Sequence, residues 1–188
     1  MSQKPVLSAT KTITTCALLT ALTVVLARLL IPMPNETTRF SIEAVPVFIA
    51  GMLYGPVAGA LVGFAADFIG CLFSPYPYNP IFCLPPILYG VCAGLFRTML
   101  WKKASIFRIA LAFLPAIALG SIVYQSFALS WVYGGDAFWV YLAEKLVTRS
   151  IQFALTMALD VLIVFLLQKS RVFEVTRLAA PQRRNTIS

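Results

Sequence analysis

The sequence predicts an all-α integral membrane protein, a bundle of six transmembrane helices with both chain ends in the cytoplasm. Three observations predict it. The 188-residue chain is 60% hydrophobic and only 12% charged, with a mean hydropathy of +0.85; a soluble domain is nearer half apolar and about a quarter charged. Its apolar residues fall in blocks of roughly 20, the length a helix needs to cross a bilayer. Basic residues gather on one side of those blocks, as the positive-inside bias requires.

The first span is expected over residues 12–32, ahead of the polar stretch MPNETTR. No small-residue cleavage site follows it, so it reads as a retained helix and not a signal peptide. The second covers 41–54 and stops at Gly55 and Pro56, a pair that punctuates helices. A third covers 57–73 and ends at SPYPYNP. The fourth covers 81–100, before the basic WKKASIFR. Span five covers 109–131 and gives way to VYGGDA; span six covers 138–168. The expected organisation is thus a cytoplasmic N-terminus (1–11), a membrane domain (12–168) and a basic cytoplasmic tail (169–188). A barrel would need short alternating segments, and none stands out.

Charge fixes the expected orientation. With the termini inside, the inner side carries Lys4, Lys11, Arg97, Lys102, Lys103, Arg108, Lys169, Arg171, Arg177, Arg183 and Arg184. The outer loops carry only Arg39, near Glu36. The net charge of +8 then describes a basic rim at the membrane surface and not a nucleic-acid surface. Trp131, Tyr133 and Trp139 gather at one predicted outer interface and Trp101 at the inner one, as aromatic belts do.

Seven charged residues fall within or at the edges of the spans: Arg28, Glu43, Asp67, Glu144, Lys145, Arg149 and Asp160. A charge at mid-bilayer costs at least roughly 2.5–3.5 kcal/mol, so it faces a partner or a cavity. Arg28 is close enough to its helix end to snorkel. Glu43, Glu144 and Lys145 lie near the outer interface, where water can reach them. Asp67 and Arg149 lie roughly 9 and 16 Å below their outer helix ends at 1.5 Å per residue. Snorkelling does not account for them.

Lys145, Arg149, Gln152, Thr156 and Asp160 recur three or four residues apart on an otherwise apolar helix. That spacing places them on one face, and a polar face in lipid turns inward. Either it anchors an internal salt-bridge network, for example Asp67 with Arg149, or it lines a polar pocket in the outer half. Other residues converge on that half. Tyr124 and Gln125 fall toward the outer end of span five with Ser121, and Arg39 and Phe40 precede span two with Asn35. Tyr76, Tyr78 and Asn79 belong to the proline-fixed loop, whose rings offer a stacking surface. Arg28, Arg39 and Arg149 suit carboxylates, and Asp67 suits an N–H-rich heterocycle. The ligand class is an aromatic head with an acidic tail.

Other functions lack their residues. The chain has no histidine and four cysteines, Cys16, Cys71, Cys83 and Cys92, without a CxxC pair. No metal site and no cofactor are expected, and no nucleophile–base set marks an enzyme. No GxxxxGK[ST] loop is present, so ATP-driven steps belong to partners. A passive membrane scaffold would need no deep charges.

Small residues indicate packing. Gly51, Gly55, Gly59 and Gly63 recur, as do Gly90 and Gly94, and small residues four apart let helices approach in lipid. The first series crosses the Gly55–Pro56 turn and so is not one helix face. In span one, Ala17 and Ala21 share a side with Thr14; that face packs internally or docks another membrane protein.

Four stretches carry a resemblance: LARLL (26–30), RFSIEAVPVFIAGMLYGPVAGALVGFAADFIG (39–70), SPYPYNP (74–80) and KLVTRS (145–150). Together they resemble the folate-specific substrate-binding (S) component of energy-coupling-factor vitamin transporters, over residues 12–168. Similar sequences read ARLIKN where this one reads KLVTRS, which leaves the basic position in span six open. The resemblance implies a six-helix receptor in a prokaryotic plasma membrane, with its vitamin site on the extracellular side under the outer loops. It implies a transmembrane coupling subunit and two cytoplasmic ATPases as partners, with Ala17 and Ala21 as the docking face. The pteridine would lie by Asp67 and the loop aromatics and the glutamate tail by the arginines, with Lys145 a further substrate-binding candidate. Thiamine or riboflavin in the same architecture is the alternative; those ligands need fewer cations.

Overall fold

A computed structural model describes residues 6–28, 31–32, 39–40, 42–73, 78–102 and 105–170. The architecture is all-helical apart from one two-residue ribbon. Helix α1 (Val6–Arg28) leads into strands β1 (Ile31–Pro32) and β2 (Arg39–Phe40), antiparallel with Ile31 opposite Phe40. Helices α2 (Ala44–Tyr54) and α3 (Pro56–Leu72) follow. A 3-10 turn (Pro80–Cys83) feeds α4 (Leu84–Leu95), and α5 (Arg97–Lys102) is a short addition. Next comes one continuous rod: α6 (Ile106–Pro115), a π-helical segment (Ala116–Tyr124) and α7 (Gln125–Tyr133). A 3-10 turn (Gly135–Ala137) precedes α8 (Phe138–Lys169).

Every apolar block expected from sequence is a helix. Thr10–Ala27, Ile106–Tyr133 and Gly135–Lys169 are long and apolar enough to cross a membrane, while Ala44–Tyr54, Pro56–Leu72 and Pro80–Leu95 are shorter apolar helices. Four local features differ from expectation. The first helix ends at Arg28, with Ile31–Pro32 in a strand and not in the helix; the second begins at Ala44 and not 41. The fourth ends at Leu95, with α5 a separate helix over the rest of that block, and the fifth block widens into π geometry. Pro115 stands at that last boundary; it has no amide hydrogen for the preceding turn, and such sites release a helix from i→i+4 register.

Packing begins with backbone contact. Gly55 has φ +100°, a left-handed conformation that a side chain would resist, and Pro56 starts α3 at once. The α2–α3 hairpin so formed lays Gly51 and Gly59 against one another, both facing the carbonyl of Gly90 on α4. Further along the seam Gly63 meets Pro86, and Gly94 meets Pro56. The two glycine series are therefore halves of one three-helix junction, although a turn separates Gly51 from Gly59.

The apolar core sits beside this junction. Phe48 and Phe113, both fully buried, stack at 3.9 Å with 4° between their planes, and Tyr89 meets Phe113 edge-on at 6.0 Å. At one end of the bundle, Trp101 Nε1 donates to the Met52 carbonyl (3.0 Å) and Gln168 Nε2 approaches Met52 Sδ (3.1 Å). We call this the Met52 end and the other the Asp67 end.

The exterior is apolar. Leu18, Val57, Leu61, Leu95, Phe107, Leu119, Val140 and Ile151 are all more than half exposed. On α8 the polarity is inverted: Val147, Ile151 and Leu155 face outward while Lys145, Thr156 and Asp160 are buried. A water-facing surface does not carry patches of this extent; a lipid-facing one does. Trp131 and Trp139 are exposed near the Asp67 end, as interface anchors would be.

Candidate functional site

The polar stripe of α8 lies inside the bundle, as its spacing predicts. Lys145, Thr156 and Asp160 are buried, and Arg149 and Gln152 are half-buried. Lys145 is not the solvated interfacial residue that its position suggested. Its side chain is 7% exposed, its Nζ lies 3.4 Å from Glu144 Oε1, and it stands 4.8 Å from the Tyr141 ring centroid. Glu144 does reach water, with 61% of its side chain exposed, and Glu43 is exposed as well.

Arg149 is gripped from one side. Its Nη1 donates to Gln125 Oε1 at 2.9 Å and more weakly to the Ser121 carbonyl at 3.5 Å. The guanidinium carbon lies 5.8 Å from the Phe153 ring centroid. An Asp67–Arg149 salt bridge is not formed; among the described residues, the only ion pair drawn is that of Lys145 with Glu144. The π geometry supplies one of the acceptors. The Gln125 amide donates to the Gly120 and Ile122 carbonyls. It thereby skips Ser121, whose carbonyl an α-helical register would have engaged. The Ser121 hydroxyl in turn lies 2.9 Å from Tyr89 Oη, both buried.

Asp67 is toward the C-terminal end of α3, on the same turn-to-turn row as Gly63 and Cys71. The seam that sets Gly63 on Pro86 also sets Asp67 against Cys83, whose thiol interacts with both the carboxylate and the Tyr78 hydroxyl. Asp67 Oδ2 is buried and has no hydrogen-bond partner among the described residues. Burial and the Cys83 thiol push the Tyr78 phenol up to about 12, so it remains a donor at physiological pH. Tyr78 packs edge-on against Phe68 at 5.4 Å. Asn79 caps the following turn, its Oδ1 accepting from the Ile81 amide (3.1 Å).

Asp67, Tyr78 and Asn79 thus gather at one edge of α4's first turn, and Gln125, Arg149 and Ser121 at another. The two edges are joined by α4, since Pro85 and Leu88 abut Gly120. Tyr124 is half-buried in the π segment. Tyr76 lies outside the described residues, and of Arg28, Arg39 and Phe40 only the backbone is described. Ala17 and Ala21 are exposed on α1 together with Thr14 and Leu18. The sequence reading missed Tyr89; a single aromatic in an apolar helix reads as core, and nothing local marks its hydroxyl.

Asp160 is a further buried acid, 1% exposed, with Oδ1 unpartnered among the described residues. Those residues hold no group of three metal-ligating side chains.

Comparison with known proteins decides the family. Residues 7–169 match the family described as "ECF-type riboflavin transporter, S component". The chain belongs to this S-component family. It is therefore a transporter component of a membrane, crossing it more than once, and not an enzyme. The S component is 29% identical over 116 residues to the folate transporter FolT of Clostridium novyi (strain NT), across 61% of this chain and 66% of that one. It is 35% identical over 66 residues to an uncharacterized MG098 homolog of Mycoplasma pneumoniae, across 35% of this chain and 14% of that protein. The chain thus spans less than two thirds of either curated relative. Its fold superposes on a crystal structure of FolT bound with folic acid, with a TM-score of 0.69, 26% identity, and coverage of 85% of this chain and 93% of that one.

Proposed function

We propose that this S component is a high-affinity receptor that captures folate outside the cell and delivers it to an ATP-driven transporter. The observation that carries the reading is Arg149: a guanidinium inside the bundle, held among the described residues by Gln125 and Ser121 on one side. A cation so placed suits a ligand with a carboxylate. Asp67 Oδ2, buried and unpartnered among the described residues, suits the N–H edge of a pteridine, since a buried acceptor left unpaired is costly. The likeness to FolT supports the same ligand.

In this reading Asp67, Tyr78 and Asn79 receive the heterocycle with Tyr76 and Phe40. Arg28, Arg39, Lys145 and Arg149 receive the glutamate tail, with Tyr124 and Gln125 between. The helices make six crossings with both termini cytoplasmic, supported by the basic residues on one set of loops. A transmembrane coupling subunit docks on Ala17 and Ala21, and two cytoplasmic ATPases supply the energy.

Riboflavin is the second reading, favoured by the family's description. It has no carboxylate, so it leaves Arg149 and Lys145 without a role. Titration of the detergent-purified chain, followed by tryptophan fluorescence, separates the two. Saturable binding of folate and not riboflavin is expected; the reverse result replaces the substrate.

A further inference from the structure

The strongest unassigned relationship in the molecule links the aromatic core to Arg149. Phe48 stacks on Phe113, Phe113 meets Tyr89, and Tyr89 Oη lies 2.9 Å from Ser121 Oγ. Ser121 then presents its carbonyl to Arg149 Nη1, beside Gln125 Oε1. Both hydrogens of Nη1 are thereby committed to the protein. A guanidinium has five N–H donors in a fixed plane, so the edge left for a ligand is formed by Nε and Nη2. That edge is a fork matching one carboxylate in a bidentate arrangement.

The direction of the fork depends on where Ser121 sits. Its carbonyl reaches Arg149 because the π segment steers the Gln125 amide to Gly120 and Ile122. Its hydroxyl is fixed by Tyr89, whose ring is buried against Phe113 in the core. We propose that Tyr89, acting through Ser121, is a specificity-determining positioning residue that aims the Nε–Nη2 edge of Arg149 at a single carboxylate of the ligand. This inference rests on the reading that Arg149 receives the acidic tail. Tyr89 need not touch ligand; its contribution is directional, and it selects a carboxylate over an uncharged isostere.

The test compares two probes, folate and folate with both tail carboxylates converted to amides. Binding of each is measured on the full chain in detergent, with the melting temperature recorded alongside. Wild type is expected to favour folate strongly. Tyr89→Phe keeps the ring and removes the hydroxyl; folate should weaken roughly 3- to 10-fold, the value of one hydrogen bond, with the diamide little changed. Ser121→Ala should reproduce that loss independently. Equal weakening of both probes, or of neither, by both variants overturns the inference and makes the hydroxyl pair structural. Arg149→Ala separates the two levels: it should abolish the preference for folate altogether. If Arg149→Ala abolishes the preference and Tyr89→Phe leaves it, the inference fails alone. If wild type shows no preference, the acidic-tail reading fails and the inference with it.

Discussion

Gly59 and Gly90 place α3 and α4 in backbone contact: a Cβ added to either would fall on the other's carbonyl. Gly51 points at the same carbonyl of Gly90, so three helices meet where none has a side chain. Close approach of this kind replaces the hydrophobic drive that lipid removes, through van der Waals packing. It also makes the register of α3 on α4 rigid, and that register places Asp67 on Cys83.

Gly90→Ala should therefore destabilise the bundle by about 2–3 kcal/mol, the cost of overpacking where backbone must shift. Denaturant titration in mixed micelles measures it. Gly70→Ala, where an added Cβ meets nothing within 4 Å, should be neutral or slightly stabilising in the same assay. A neutral Gly90→Ala would mean that the seam is looser than its geometry.

Asp67→Ala removes the acceptor proposed for the heterocycle. Folate affinity should fall about 10- to 100-fold, the range for a charge-assisted hydrogen bond. Cys83→Ala leaves the carboxylate in place and removes only its thiol neighbour, so a smaller loss is expected. Calorimetric titration of both variants ranks them. If Cys83→Ala costs as much as Asp67→Ala, the thiol and not Oδ2 is the group that matters.

Lys145→Met replaces a nearly buried ammonium with an apolar side chain of similar length. Its partner Glu144 is 61% exposed and stays solvated, so no buried charge is left uncompensated and the melting temperature should hold or rise. Folate affinity should fall if Lys145 faces the tail. A fall in melting temperature with unchanged affinity would make its contacts with Tyr141 and Glu144 structural only.

Ala17→Trp and Ala21→Trp alter an exposed face of α1. Purified variants should bind folate as wild type does, while folate uptake by cells that contain the coupling subunit and ATPases should be lost. Uptake at the wild-type level would move the docking face elsewhere.

Much of the fold was legible because lipid imposes simple rules. Each apolar block had to be a helix to satisfy its own backbone, and the three- and four-residue spacing of Lys145, Arg149, Gln152, Thr156 and Asp160 had to face inward. The partners were not legible. Nothing in AIALGSIVY announces a π register, so the sequence could not reveal that the Ser121 carbonyl is offered to Arg149. Asp67 and Arg149 looked like candidates for one salt bridge; only the fold shows α4 standing between their surroundings. The glycine series hid its unity because Gly51 and Gly59 join through a folded-back hairpin, not along one face.

The inverted polarity of α8 also bears on how the molecule is assembled. A helix with Lys145, Arg149 and Asp160 inserts at a cost, since each mid-bilayer charge opposes entry by roughly 2.5–3.5 kcal/mol. It is the last of the described helices, and the groups that receive Arg149 all precede it in the chain: Ser121 and Gln125 on the neighbouring rod, Tyr89 anchoring Ser121. Synthesis from the N-terminus therefore lays down the acceptors before the cation that needs them arrives. The order of the polypeptide is itself a chaperone for its most polar span.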